Sequence, residues 1–370
     1  MKPKQIIVLS IIFGILAAGI LLKSLARSAG DNAGAAQGGR VAFARFDPAK
    51  LERITIRHGN QSPVVELANE NGIWKVKSLW GAQADPVKVE ALIEKLRSAQ
   101  GELRGSGKKL FTDFGIQDAE AFSMQLFGAG NVLLLDLRLG TQKAGENGYF
   151  MRQAKSENVY LVDANMEELL GIFENFKEAV PASAPWADLR LFNLDTEKVT
   201  EVAVFRIQGE EKTRVAGLKR ETDPKDPLKI SWKFLRQDVS SLPDPDKVLK
   251  FIAAMNSIQA QKVVDPGGPG YGLEKPVWQL AVIEESKKTF LNAGSKDEKA
   301  ELLYVARSGN STVFGLQASF FDDLNVDDTH FLKDAPPVAE TKKDISQDIS
   351  TALQEEQEQA APPSAGGQVT

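Results

Sequence analysis

The chain has 370 residues, of which 42% are hydrophobic and 26% charged, with a formal net charge of -5. This length exceeds one average domain and predicts two, each able to bury its own core. No basic excess is present for binding phosphate backbones, which argues against nucleic acid as a partner. Because the chain has no cysteine, disulfides, thiolate metal sites, a thiol nucleophile and a lipoprotein anchor are excluded.

The N-terminus predicts a membrane span. Ile6 to Leu22 are apolar apart from Ser10 and glycines, and a helix of this length reaches roughly 26 Å, close to the hydrocarbon thickness. A signal cleaved near Ser24-Leu25-Ala26 and a buried core helix are the alternatives. The length of the apolar run favours an uncleaved anchor, which comprises residues 1–27. The short leading tail favours a single-pass protein whose remaining residues are exported.

Two further segments have the composition of solvated chain. Residues 28–42 are rich in Gly, Ala and Ser and predict a flexible linker. Residues 334–370 carry Pro-Pro pairs and many Gln, Glu and Ala residues, which predicts a disordered tail. Within the tail, Ile345, Ile349 and Leu353 recur at helical spacing, and the alternative is a short helix that docks on a partner.

The region between them contains an internal repeat. Residues 85–100 return as 244–259 with Asp, Pro, Lys, Val, Ile, Ser and Gln identical in register. Such collinear similarity predicts two copies of one module, residues 43–180 and 181–333. The flanking landmarks pair as follows: Trp74-Lys75 with Trp232-Lys233, Phe114-Gly115-Ile116 with Tyr271-Gly272-Leu273, Leu139-Gly140 with Ala293-Gly294, and Tyr149-Phe150-Met151-Arg152 with Tyr304-Val305-Ala306-Arg307.

Each module predicts an α+β fold, an antiparallel sheet with helices on one face. Asp85 and Asp244 are N-cap residues followed by Pro, and the apolar spacing behind them predicts one amphipathic helix per module. A second helix is expected near Met166 to Phe176, with a shorter counterpart at Ala318 to Leu324. Alternation predicts strands around Ile54, Val65, Trp74, Met124, Leu135, Tyr149 and Val159.

Residues with the chemistry of a reactive site are scarce. The glycine run Gly267 to Gly272 lacks dinucleotide and Walker A spacing, which favours a loop. Asp322, Asp323, Asp327 and Asp328 with His330 are hard-metal ligand types, but they lack calcium-loop order and favour a solvated helix end. His58 is expected in a hairpin turn. We therefore predict no catalytic residue, no cofactor, no metal and no enzymatic activity.

Four residues that recur at matched positions are candidate contacts for a ligand or partner: Tyr149, Arg152, Tyr304 and Arg307. For the two arginines a structural role is favoured over ligand recognition, because Arg stems pack while their head groups pair with carboxylates. Trp74 and Trp232 are expected to be core aromatics. The two copies therefore share caps, turns, core positions and one arginine, which is typical of a scaffold or a binding surface.

The repeated pattern of Trp-Lys, Asp-Pro-x-Lys-Val, the turn Tyr271 to Pro276 and Tyr-x-x-Arg resembles a bacterial family, domain of unknown function 4340, over roughly Phe43 to Leu324. The first copy departs from it with Ala119 in place of Pro276. The resemblance implies an exported protein of the bacterial cytoplasmic membrane that assists ABC-type transport systems related to gliding-motility transporters. A permease and an ATPase are then the expected partners, and the family supplies no catalytic residues.

The sequence thus supports three hypotheses. The leading one is a membrane-anchored extracytoplasmic accessory or scaffold protein of a transport complex. The alternative is an envelope polysaccharide or peptidoglycan binding module, in which Tyr149 and Tyr304 stack on sugar rings. A metal-dependent hydrolase that uses the cluster from Asp322 to His330 is the third.

Overall fold

The computed structural model describes residues 39–60, 64–142, 148–164, 166, 170, 179–223, 226–236 and 241–333. These residues form two compact units. The first comprises the residues up to Arg190 with Gln259–Gly270 and Gly309–Leu316, and the second comprises Leu191–Ile258, Tyr271–Ser308 and the residues from Gln317 onward. The predicted anchor, nearly all of the linker and the tail lie outside the described residues. Within the described part, no helix has the length and apolarity that crossing a membrane requires.

The first sheet has ten antiparallel strands in the order β1-β6-β10-β9-β8-β7-β2-β3-β4-β5. Its strands are β1 (Arg40–Ala42), β2 (Arg53–His58), β3 (Val65–Glu70), β4 (Ile73–Val76), β5 (Ala82–Gln83), β6 (Gln100–Ser106), β7 (Phe122–Phe127), β8 (Leu133–Gln142), β9 (Tyr149–Gln153) and β10 (Asn158–Val162). It is accompanied by the helices α1 (Pro86–Ser98) and α2 (Leu110–Asp113), and by 3-10 turns at Pro48–Lys50, Ala129–Asn131 and Ala184–Trp186. We call this part the first module.

The second sheet has eight strands in the order β13-β12-β11-β15-β16-β17-β18-β14. Its strands are β11 (Val199–Gln208), β12 (Glu211–Asp223), β13 (Asp226–Phe234), β14 (Lys262–Val264), β15 (Trp278–Glu284), β16 (Lys287–Asp297), β17 (Leu302–Arg307) and β18 (Val313–Gln317). The helices α3 (Pro245–Ser257) and α4 (Ala318–Asp322) and a 3-10 turn at Asp328–Phe331 accompany it. We call this part the second module; it differs from the second compact unit, because β14 and nearly all of β18 fall in the first unit. The prediction of one antiparallel sheet in each module is confirmed, and with few helices among the described residues the fold is mostly β.

The two sheets have the same strand order. Reading from β4, the first runs β4-β3-β2-β7-β8-β9-β10-β6, and the second runs β13-β12-β11-β15-β16-β17-β18-β14 with each strand at the corresponding place in its module. Only β1 and β5 extend the first sheet further. A β-bulge also falls at matched places, between Leu139 and Gln142 and between Ala293 and Lys296. Because bulges bend a strand at one defined point, the two modules share their local distortion as well as their topology.

The repeated Asp-Pro-x-Lys-Val motif builds the start of the long helix. The Asp85 carboxylate accepts a hydrogen bond from the Val87 amide at 3.0 Å, and Asp244 caps α3 in the same way through the Asp246 amide at 2.9 Å. Proline follows each cap, where its missing N–H costs nothing. The motif valines, Val89 and Val248, are fully buried.

A closing turn near the end of each module packs on this helix start. The turn is Ala184–Ala187 in the first module and Asp328–Leu332 in the second. The backbone carbonyl of a buried aromatic residue in this turn accepts a hydrogen bond from the backbone amide of the N-cap aspartate. The amide of Asp85 donates to the Trp186 carbonyl at 2.8 Å, and the amide of Asp244 donates to the Phe331 carbonyl at 2.7 Å. The motif lysine donates to a carbonyl of the same turn, Lys88 to Pro185 at 2.5 Å and Lys247 to Leu332 at 2.6 Å. The motif is therefore a folding device that joins helix and closing turn.

A second repeated contact explains two of the glycine landmarks. The Phe114 carbonyl accepts from the Thr141 amide at 3.1 Å, and the Tyr271 carbonyl accepts from the Ser295 amide at 2.7 Å. Gly140 precedes Thr141, and Gly294 precedes Ser295. A Cβ added to either glycine would overlap the carbonyl oxygen that accepts this hydrogen bond. Glycine is therefore required where the aromatic turn docks on β8 and β16.

The core lies on the face of the first sheet that α1 covers. Val89, Leu92 and Leu96 of α1 pack with buried residues of β2, β7 and β8 in one hydrophobic cluster. A smaller cluster of Ile116, Phe150, Val159 and Leu161, with Leu110 and Phe111 of α2 against it, occupies the other face. The prediction that helices cover one face is therefore too simple for the first module, because α2 covers part of the opposite face. Of the helix expected at 166–176, only Met166 and Leu170 are described, and both are helical and buried.

We predict that Gly294→Ala lowers the free energy of unfolding by about 2–3 kcal/mol, because the new methyl group overpacks against the Tyr271 carbonyl. The matched control is Gly267→Ala, since the nearest atom to its added Cβ is the Asp265 Oδ1 at 3.4 Å. Urea unfolding of both variants measures the difference. Equal unfolding midpoints for Gly294→Ala and the control would contradict the packing described here.

Candidate functional site

Strand register places the recurring arginines on different faces of their sheets. Arg152 pairs with Arg138, whereas Arg307 pairs with Leu291, the counterpart of Leu137. Arg307 therefore corresponds to Gln153, and Tyr304 corresponds to Phe150. The predicted alignment of Tyr149 with Tyr304 and of Arg152 with Arg307 is wrong by one residue, and a shift of one residue moves a side chain to the opposite face.

The ring contacts agree with the corrected alignment. The centroids of Phe114 and Phe150 are 4.1 Å apart in the first module, and those of Tyr271 and Tyr304 are 4.5 Å apart in the second. The same aromatic pair therefore occurs in both copies, with Phe–Phe in one and Tyr–Tyr in the other. The arginine that the sequence suggested as a shared feature is not shared.

Arg152 is held in the interior of the first module. Its exposed fraction is 1%, and its guanidinium donates to the Ile116 carbonyl at 3.0 Å, to the Ala154 carbonyl at 2.7 Å and to the Asp118 carboxylate at 2.7 Å. Partial burial raises the pKa of Asp118, but the hydrogen bond from Arg138 and the charge of Arg152 outweigh it and leave the pKa below its usual value. These contacts match the structural role that the sequence favoured for Arg152.

The tyrosines named as sugar-stacking candidates differ in accessibility. Tyr149 is 2% exposed and belongs to the core, so its ring has no face open to a sugar. Tyr304 is half-buried, and its hydroxyl donates to the Asp297 carboxylate at 3.3 Å. Burial and the charge of Asp297 raise the pKa of Tyr304. Arg307, in β17, is also half-buried.

The first module contains a cleft of about 370 Å³ at the start of β8. Three separate segments line it: Ala42, Phe43 and Arg45 at the end of β1 and beyond it, residues 133–136 of β8, and residues 153–155 from the last residue of β9 onward. Phe43 forms part of its apolar wall and is itself buried, with its amide bonded to the Ala99 carbonyl at 3.0 Å. Gln153 donates to the Phe43 carbonyl at 3.1 Å and so ties two of the segments together.

Two cations stand among the residues that line this cleft. Arg45 and Lys155 are both exposed, and neither forms an ion pair or hydrogen bond with another described residue. Asp136 is the carboxylate of the lining, and it is already bound by Arg138 and by Gln125, the latter at 3.1 Å. The unbalanced charge at the cleft is therefore positive, which favours an anionic group.

The cations of the cleft do not recur in the second module. The backbone bond of Phe43 to Ala99 has its counterpart in Leu191 to Ile258 at 3.4 Å, which aligns Arg45 with Asn193. The strand register of β9 and β17 aligns Lys155 with Gly309. Neither cation therefore belongs to the residues that the two modules share for folding. Sequence reasoning missed them because its search was for residues common to the two copies.

The acidic cluster near the end of the second module is not assembled as a metal site. No group of three or more His, Cys, Asp or Glu side chains able to hold a metal ion occurs in the described segments. Asp327 caps the closing turn through the Thr329 amide at 2.9 Å. Asp328 is 6% exposed, so the expectation of a solvated helix end is wrong for this residue. His58 also differs from its prediction, since it ends β2, is buried, and donates to the Ala179 carbonyl at 2.8 Å.

The buried Asp328 connects the closing turn to β12 and to Arg236, which follows β13; we call these contacts the latch. Its Oδ1 accepts from the Gly217 amide at 2.9 Å, and its Oδ2 lies 3.7 Å from Nε of Arg236. The matched positions of the first module hold Ser183 and Ser78, whose hydroxyl oxygens are 2.7 Å apart. One copy therefore fastens its closing turn with a neutral hydrogen bond and the other with a buried carboxylate beside an arginine.

These features define a mostly β protein built from two modules of one topology, with a positively charged cleft in the first. Residues 74–242 match the model of the family described as a domain of unknown function, DUF4340. The resemblance read from the repeated motifs is confirmed over this part of the chain. The match begins at Trp74 and stops before the second copy of the Asp-Pro-x-Lys-Val motif. No curated protein and no solved structure matches the chain.

The latch predicts a pH effect on stability. Burial raises the pKa of Asp328 above its ordinary value of 3.8, so the stability that the protonated group contributes is present below pH 3.8 and is lost as pH rises through the folded-state pKa. We expect Asp328→Asn to gain stability relative to the wild type as pH rises from this value to neutrality. Urea unfolding of both proteins across this range measures the gap. A gap that stays constant with pH, or that narrows, would contradict the burial of a titrating carboxyl here.

Proposed function

We propose that this chain is an accessory or scaffold subunit of a membrane transport complex. In this proposal residues 1–27 anchor it in the cytoplasmic membrane, and both modules act outside the cytoplasm. The apolar run at the N-terminus supports the anchor, and the family resemblance supports the association with an ABC-type permease and ATPase. The partners, the location and the anchor are linked in this proposal, because each of them is needed to place the modules beside a transporter.

The observation that carries a binding role is the unbalanced pair Arg45 and Lys155 at the cleft of the first module. The motif residues that both modules share are used for capping, core packing and closing turns, which every copy of the fold needs. The cationic cleft occurs in the first module, and its two cations have no counterpart in the second. It is therefore a property of the surface of the first module and not a requirement of the fold. Exposed charges beside apolar surface are typical of the rim of a protein–protein interface.

The test is purification of the full-length protein in a mild detergent at its native abundance. We expect a permease and an ATPase to be recovered with it. The double charge reversal Arg45→Glu with Lys155→Glu should reduce their recovery, because it inverts the charge of the cleft. The control is Lys108→Glu with Lys109→Glu, which reverses two exposed charges outside the cleft lining and should leave recovery unchanged.

Recovery of the wild-type protein alone would contradict the proposed function. Equal loss in the control pair would mean that general surface charge, and not the cleft, governs the association. Thermal unfolding of all three proteins confirms that the variants remain folded, since exposed charge changes of this kind alter stability little.

A further inference from the structure

The cleft of the first module has an apolar wall that continues onto exposed surface. Phe43 and Leu135 are 4% and 6% exposed, whereas Leu133, which also lines the cleft, is 41% exposed. An aliphatic strip that runs from a cleft onto open surface suits a ligand that extends beyond the cleft. The volume of about 370 Å³ is near the lower end for ligand sites, so only a few side chains of such a ligand would enter.

The charges of the cleft specify the polar part of that ligand. Arg45 and Lys155 lack partners among the described residues, and Asp136 is neutralised locally by Arg138. A guanidinium and an ammonium beside apolar surface favour a carboxylate, with which Arg forms charge-assisted hydrogen bonds. The side-chain amide of Gln153 already donates to the Phe43 carbonyl. It therefore positions Phe43 in the wall of the cleft and does not supply a donor for the ligand.

We infer that the cleft binds a polypeptide segment of a partner protein in which acidic side chains flank aliphatic ones. This inference rests on the proposed function and names the chemistry of the contact. A polypeptide fits the observations because its acidic groups reach the two cations while its aliphatic side chains cover both the buried wall of the cleft and the exposed Leu133.

Binding of short labelled peptides to the full-length protein tests the inference by fluorescence anisotropy. The probe is a peptide in which two glutamates flank a pair of leucines, and its matched control carries glutamine in place of glutamate. We expect saturable binding of the acidic peptide, about tenfold weaker binding of the control peptide, and weakening of the acidic peptide's binding by salt. The same charge-reversed protein, Arg45→Glu with Lys155→Glu, should bind the acidic peptide roughly tenfold more weakly, and Lys108→Glu with Lys109→Glu within about twofold of the wild type.

Equal affinities for the acidic and the neutral peptide would overturn the inference, and so would an unchanged affinity in the charge-reversed protein. Saturable binding of decanoate without binding of the acidic peptide would also overturn it, because the site would then take a small amphiphile. If the peptide does not bind but transporter subunits still co-purify, this inference fails and the proposed function stands. If the peptide binds but no subunit co-purifies, the inference stands and the proposed function fails.

Discussion

Each module depends on one backbone hydrogen bond, from the amide of the N-cap aspartate to the carbonyl of a buried aromatic residue in the closing turn. The bond joins Asp85 to Trp186 in one copy and Asp244 to Phe331 in the other. It ties the start of the long helix to the end of the module, and the motif lysine secures the same turn from the side. An amide that is shielded from water and left without its acceptor costs about 1–3 kcal/mol, so each bond helps to hold the helix start and the closing turn together.

Local patterns in the sequence predicted most of this architecture. The caps at Asp85 and Asp244, the apolar spacing of the helices and the alternation in strands such as β8 act over a few residues, so one segment is enough to reveal them. The register of β9 and β17 could not be predicted in the same way. It depends on a bulge in the neighbouring strand, between Leu139 and Gln142 or between Ala293 and Lys296, and an alignment by matching letters misplaced Arg152 relative to Arg307.

The cleft escaped prediction for a related reason. Arg45, Asp136 and Lys155 are distant along the chain, and only the assembled sheet brings their segments together. Asp328 was missed because a run of acidic residues usually marks a solvated face, whereas here one member turns inward to meet Gly217. Duplication can explain both cases, since two copies of one scaffold free each copy to change residues that the fold does not need. The cleft and the charged latch are such changes, one in each module.

Backbone amide exchange resolved to single residues tests the central claim most directly, namely that a shared closing turn holds each module together. The account predicts that the amides of Asp85 and Asp244 both exchange with deuterium far more slowly than in an unstructured peptide, because each is bonded to a buried carbonyl. Unprotected exchange at either amide, in protein whose helix amides at Val89 and Val248 remain protected, would contradict it.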